Sequence, residues 1–250
     1  MIELMDANCR IGRGPADPED APVTAQRLRD LMDRFGVTRA VVFHSAAEYS
    51  DAAFGNALLP RETGNDPRFL PQWAALPAVW GAFPAPEELL SRMKAAGVSS
   101  VRLFPARYGH SLRRYAAGPL LDALAEAKVP VFISLSELKN DWDALFDLCS
   151  DYPETRFVLC APGYRCLRQL VPILQARPNL WVDTSNFLIH NGIREFCHQL
   201  GARRLLFGSG APETSLAAAA SQLLLSDISA EEKQMIGAEN LRALLKEATL

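Results

Sequence analysis

The chain has 250 residues, 49% hydrophobic and 22% charged, with a formal net charge of −3. That length suits one large domain or two small ones and buries a core without help from disulfides or a structural metal. It carries no basic block, no acidic tail and no apolar run of membrane-spanning length, which argues against nucleic acid and a lipid bilayer as partners.

In chain order, the first apolar run is IELMDA (2–7), followed by NCRIG and an irregular stretch over 13–22. A helical period runs through TAQRLRDLMDRFG (24–36) and stops at a glycine, as helix ends commonly do. RAVVFH (39–44) reads as a second strand, and residues 46–69, broken by Gly55, Pro60, Gly64 and Pro67, read as a long loop or short helices. LPQWAAL (70–76), the helix APEELLSRMKAAG (85–97) and SVRLFP (100–105) follow, then another irregular stretch over 106–118. The strands PVFISL (130–135), RFVLCA (156–161), NLWVDTS (179–185) and RLLFGSG (204–210) alternate with amphipathic helical segments. Those segments begin GPLLDALAEAK (118–128), DWDALFDLCSDYP (141–153), CLRQLVPILQARP (166–178) and NGIREFCHQLG (191–201). The chain finishes with TSLAAAASQLLL and a longer helix that opens on a Ser229-x-x-Glu232 capping box.

The strand candidates are apolar on both faces, as in parallel sheets covered by helices. Eight strand–helix repeats in this length predict a single (β/α)8 TIM barrel over residues 1–250, with an extra C-terminal helix. The irregular stretches all follow strands, on the face where such barrels keep their sites. Five cysteines, an odd number without C-x-x-C spacing, read as free packed thiols. Glu3 and Asp6 stand where a secretory signal has its basic start, so the expected location is the cytoplasm.

Six segments in register resemble the amidohydrolase superfamily, in its decarboxylase and lactonase-like branch. MDANCRIG resembles a first-strand D-x-H-x-H-x-G, VPVFISLSE a fifth strand ending in histidine, and RFVLCAPGY a sixth strand ending H-x-G. PNLWVDTS, LLFGSGAPE and the tail LSDISAEEKQMIGAENLRALL resemble the seventh strand, the eighth strand and the terminal helix. The resemblance implies that five positions correspond to metal ligands, and here they hold Asn8, Arg10, Ser134, Ala161 and Gly210. Imidazole, thiolate and carboxylate donors are missing from all five. The expectation is therefore a site with no metal and no cofactor.

The resemblance also implies that Asn8 and Arg10 point into the barrel. Arg10 offers a planar fork for a carboxylate or phosphate, so it is expected either to anchor an anion or to pair with Asp6, Glu137 or Asp183. By strand alternation Cys9 should point outward, and Cys160 should do the same beside Ala161. His44, Glu137 and Ser134 are the candidate catalytic residues: a histidine titrating near neutrality, a carboxylate base and a hydroxyl nucleophile. Asn8, Arg10, Arg102, Tyr164, Asn186 and His190 are the candidate substrate-binding residues. Arg107, His110, Arg113 and Arg114 form a basic stretch beside strand four. The expected function is metal-independent hydrolysis or lysis of a small anionic molecule that bears a carboxylate, such as a lactone. A catalytically inactive barrel binding a metabolite or protein partner is the alternative, and a subunit of a homo-oligomer is a third reading.

Overall fold

The computed structural model describes residues 2–21, 23–64 and 66–250. Eight parallel strands follow one another around a barrel in sequence order. They are β1 (Leu4–Ile11), β2 (Val37–His44), β3 (Phe69–Ala74), β4 (Ser100–Arg102), β5 (Val131–Ser134), β6 (Phe157–Cys160), β7 (Leu180–Asp183) and β8 (Leu205–Leu206). Strand β8 is short, and the seam to β1 is closed by Ala7 N donating to Phe207 O, Arg10 N to Ala211 O and Gly210 N to Asn8 O, at 2.8–2.9 Å. Asp6 reinforces this seam: its Oδ1 accepts from Ser209 N at 2.9 Å and from Asn8 N at 3.0 Å.

Helices cover the strands. They are α1 (Ala25–Phe35), α2 (Ala46–Tyr49), α3 (Ala52–Thr63), α4 (Pro86–Ala96), α5 (Pro105–Tyr108) and α6 (Arg114–Glu126) in the first half. In the second half come α7 (Trp142–Asp151), α8 (Leu167–Ala176), α9 (Gly192–Leu200), α10 (Leu216–Leu224), α11 (Ala230–Gln234) and α12 (Asn240–Lys246). Local chemistry sets their ends. Thr24 accepts from Arg27 N at the start of α1, and Gly36, at φ 72°, turns its N–H back to Met32 O. The stretch 46–69 is more ordered than its glycines and prolines imply, since α3 spans 12 residues with Pro60 inside it. Gly55 accounts for this: a side chain there would collide with the Ala47 backbone, so the glycine lets α3 pack directly on α2.

The expected capping box forms, with Ser229 and Glu232 satisfying each other's backbone N–H. A π-helical turn (Met235–Glu239) joins α11 to α12. Ala238, Leu241 and Leu244 then seal the barrel interior against Met5, Val41, Phe132, Val158 and Leu206. Val158 and Cys160 both belong to that interior cluster, so Cys160 points inward, contrary to the outward position expected from alternation. The alternation breaks one residue later, where Ala161 takes a left-handed φ of 50°, and consecutive side chains reach the inside. Cys9 packs outward among the residues between barrel and helices. All five cysteines are free and buried.

Candidate active site

A register shift in β1 between Asp6 and Cys9 decides what the barrel mouth contains. Met5 and Ala7 face the interior, so strict alternation would turn Cys9 inward. The shift brings Asn8 and Arg10 inward instead, and both line a cavity of about 270 Å³ at the carboxyl ends of the strands. Ser134, Ala161 and Gly210 line the same cavity. All five positions that the resemblance assigns to metal ligands are thereby brought together.

Their hydrogen bonds form one continuous network. Asp183, fully buried, accepts from Asn8 Nδ2 at 2.9 Å, Ala161 N at 3.0 Å, Ser185 N at 3.1 Å and Ser185 Oγ at 2.6 Å. The Asn8 carbonyl accepts from Arg102 Nη1 at 2.9 Å, and Arg102 Nη2 donates to Ser134 Oγ at 2.8 Å. Arg102 is 5% exposed, and its guanidinium lies 4.6 Å from the Phe43 ring centroid and 5.9 Å from that of Phe104. Burial pushes the Asp183 carboxyl above the usual carboxylate range, opposed by the Ser185 and Ala161 hydrogen bonds and the Arg102 charge.

The other arginine of the site is already neutralised. Arg10 reaches Asp17 through Nη2 at 2.5 Å and Nη1 at 3.0 Å, donates to Gly12 O at 2.7 Å, and has Glu213 at 3.4 Å. The three pairings expected for Arg10, with Asp6, Glu137 or Asp183, do not form. Asp6 is taken up by the β1–β8 seam, Asp183 by Asn8 and Ser185, and Glu137 by a helix end. The loop after β1 folds back over the strand and supplies Asp17, whose carboxyl the Arg10 hydrogen bonds hold below its usual range.

Glu137 lines the mouth, with its Oε2 accepting from Ala106 N at 2.8 Å and Arg107 N at 3.3 Å. A carboxylate at those amides caps α5. His44 stands outside the cavity. Its Nε2 meets Glu62 Oε1 at 3.1 Å, and its Nδ1 accepts from Ala46 N at 3.0 Å, so the ring fixes the turn after β2. Ser134 and His44, considered as a nucleophile and base, are thus engaged with different partners. Asn186 lines the cavity. Tyr164, 67% exposed and stacked with Arg165, and the exposed His190, beside Asn191, do not.

Arg107 completes the wall, 4.8 Å from the Tyr49 ring centroid and 3.7 and 3.8 Å from Glu48 and Glu137. Arg113 and Arg114, from the same basic stretch, instead hold surface pairs with Asp147, Asp151 and Asp122. The candidate lists above leave out Phe43, Phe104 and Glu213, and also Glu48 and Tyr49, which HSAAEYS places in the loop after β2 and reads as solvated; all five line the cavity. Their one sequence signal is position: each ends or follows a strand.

The donor set at the mouth does not fit a divalent cation. Asn8 and Ser134 turn their oxygens to a guanidinium, Arg10 is itself a cation, and Ala161 and Gly210 bring no donor atom. Among the described residues, no group of three His, Cys, Asp or Glu side chains is placed to hold a metal ion.

Residues 10–246 match the family model described as amidohydrolase. The chain belongs to the amidohydrolase family. No curated protein matches this amidohydrolase. Among solved structures, it is similar to an uncharacterised TIM-barrel protein from Bordetella bronchiseptica at TM-score 0.77 and 16% identity, over 99% of both chains. It is similar to a 2,6-dihydroxybenzoate decarboxylase from Rhizobium at TM-score 0.73 and 18% identity, over 98% of this chain and 99% of the other. A probable 2-pyrone-4,6-dicarboxylic acid hydrolase from Acinetobacter baumannii, with citric acid bound, follows at TM-score 0.66 and 16% identity, over 97% and 99%. At these identities the likeness is one of fold.

Proposed function

We propose that this amidohydrolase binds a small carboxylate-bearing molecule at the barrel mouth and hydrolyses or cleaves it without a metal, with Arg102 as the anion anchor. One observation carries the reading. Arg102 is a buried cation facing an open cavity, and no described carboxylate lies within 4 Å of it. Only two of its five N–H groups are bonded, to Asn8 and Ser134, and its Nε lacks a partner. A buried charge left in this state costs several kcal/mol, which an anionic ligand relieves. Arg10, the anchor expected from the sequence, is occupied by Asp17. Arg102 also takes up Asn8 and Ser134, two of the positions that the resemblance assigns to metal ligands, and a cation already fixed on their oxygens supports metal independence. The solved relatives named for 2,6-dihydroxybenzoate and 2-pyrone-4,6-dicarboxylic acid support a carboxylate as the substrate class.

Thermal shift with 2,6-dihydroxybenzoate and with resorcinol, which lacks only the carboxylate, tests the anchor. A ligand at about 100 times its Kd stabilises by about 2.7 kcal/mol. At 2–4 °C per kcal/mol for a chain of this size, that is a rise of about 5–10 °C. The rise is expected for the benzoate and not for resorcinol, abolished in Arg102→Met and partly kept in Arg102→Lys. An equal response to both compounds, or an unchanged response in a folded Arg102→Met, refutes the anchor. The second reading, a binding barrel without turnover, is favoured by His44 and Glu137 both being engaged away from a ligand. Binding without release of resorcinol from 2,6-dihydroxybenzoate or ring opening of 2-pyrone-4,6-dicarboxylate would favour it.

A further inference from the structure

Glu48 lies in α2, just after β2, and lines the same cavity as Arg102. Its side chain is 13% exposed, and its ionic contact, with Arg107 Nε at 3.7 Å, is too long for a hydrogen bond. The groups that act on it come from four elements: Arg102 from β4, Arg107 from α5, Tyr49 from α2 itself and Glu213 from the loop after β8. Burial raises its proton affinity, and Glu213 adds to that effect. The Arg102 charge is the largest influence in the opposite direction, followed by the Tyr49 phenol and Arg107.

The charge that would anchor a ligand is therefore also the one that most strongly opposes the protonation of Glu48 that burial favours. An anion set against Arg102 cancels this pull and adds its own negative charge to the cavity, and both effects bring a proton onto Glu48. We propose that Glu48 is the proton-transfer residue of this site, loaded with its proton when a ligand carboxylate settles against Arg102. The inference rests on the Arg102 reading above.

For a lactone the step balances with water as co-reactant. The water oxygen bonds to the acyl carbon, the ring C–O bond breaks, and the leaving alkoxide takes the proton from the Glu48 carboxyl. The carboxylate so formed recovers a proton from the attacking water. Glu137, expected from the sequence to act as the base, has its Oε2 committed to the α5 amides, whereas Glu48 has no such tie.

Proton linkage tests the assignment. The probe is 2,6-dihydroxybenzoate, titrated calorimetrically from pH 5 to 8 in two buffers of different ionisation enthalpy. Wild type is expected to take up close to one proton per ligand at the pH of strongest linkage, and its affinity to rise towards tenfold per pH unit as the pH falls. Glu48→Gln should bind with a flat pH profile and take up almost none, while Glu62→Gln, at a carboxylate outside the cavity beside His44, keeps the uptake. Binding by wild type with no proton uptake overturns the Glu48 assignment even if no variant folds, and where Arg102→Met folds, loss of that binding in it leaves the anchor standing. Uptake that persists in Glu48→Gln overturns it equally. Absent binding, or binding indifferent to Arg102→Met, removes the anchor and the Glu48 assignment together.

Discussion

Replacing Asp6 by Asn should flatten part of the pH dependence of stability. The Asp6 carboxyl is fully buried in the β1–β8 seam, and one of its oxygens, Oδ2, has no partner. Desolvation raises it to about 6 from an ordinary 3.8, against the hydrogen bonds it accepts from Ser209 and Asn8. Between those pH values the folded chain keeps a proton that the unfolded chain has released. Stability from this group is therefore complete below pH 3.8, is lost as the pH rises through about 6, and is level above that. A displacement of about two pH units, at about 1.4 kcal/mol per unit, amounts to about 3 kcal/mol lost at neutral pH. An asparagine keeps an Oδ1 for the Ser209 and Asn8 amides and carries no charge, though its amide N–H groups cost about 1–3 kcal/mol if unpaired. Urea unfolding followed by circular dichroism between pH 4 and 7.5 gives the assay. The difference in stability between variant and wild type should shift by about 3 kcal/mol in favour of the variant across that range, whatever its offset. Parallel profiles would refute the reasoning, because they would mean that Asp6 has the same proton affinity folded and unfolded.

Four further outcomes are expected. Removing Asp17 leaves Arg10 buried with Gly12 O and, as its remaining carboxylate, Glu213 at 3.4 Å, so Asp17→Ala should lose about 3 kcal/mol; a loss below 1 kcal/mol in urea unfolding would show the pair to be dispensable. A Cβ on Gly208 would sit 2.9 Å from Asp183 Cβ and Oδ2, so Gly208→Ala should cost about 1–3 kcal/mol by overpacking and weaken carboxylate binding, read by thermal shift. EDTA should leave the 2,6-dihydroxybenzoate response unchanged, and millimolar Mn²⁺ should not raise the Tm; a metal-induced rise of several degrees contradicts the guanidinium reading. His44→Ala should lower the Tm yet keep the ligand affinity within about twofold, and a tenfold loss by calorimetry would restore His44 to the site.

Much of the architecture could be read along the chain. Eight apolar runs, most of them followed by a helical period and several of those periods closed by glycine or proline, point to a parallel barrel, because a strand buried on both faces and an amphipathic helix leave few other ways to hide their apolar atoms. The presence of Asn8, Arg10, Ser134 and Ala161 also sets the character of the mouth, since no packing turns an amide, a guanidinium or a methyl into a metal donor as strong as an imidazole.

What tertiary structure alone decided is which charges meet. Asp17 captures Arg10 because the loop after β1 folds back over the strand, and nothing in the local sequence fixes that path. Arg102 has no carboxylate within 4 Å among the described residues because β4 sets it between Phe43, Asn8 and Ser134, residues distant in sequence. A one-residue register shift in β1 and a left-handed Ala161 just after β6 each change which side chains face inward, and both are backbone events without a periodic signature. Electrostatic partnership depends on distances across the barrel, which the order of residues along the chain does not contain.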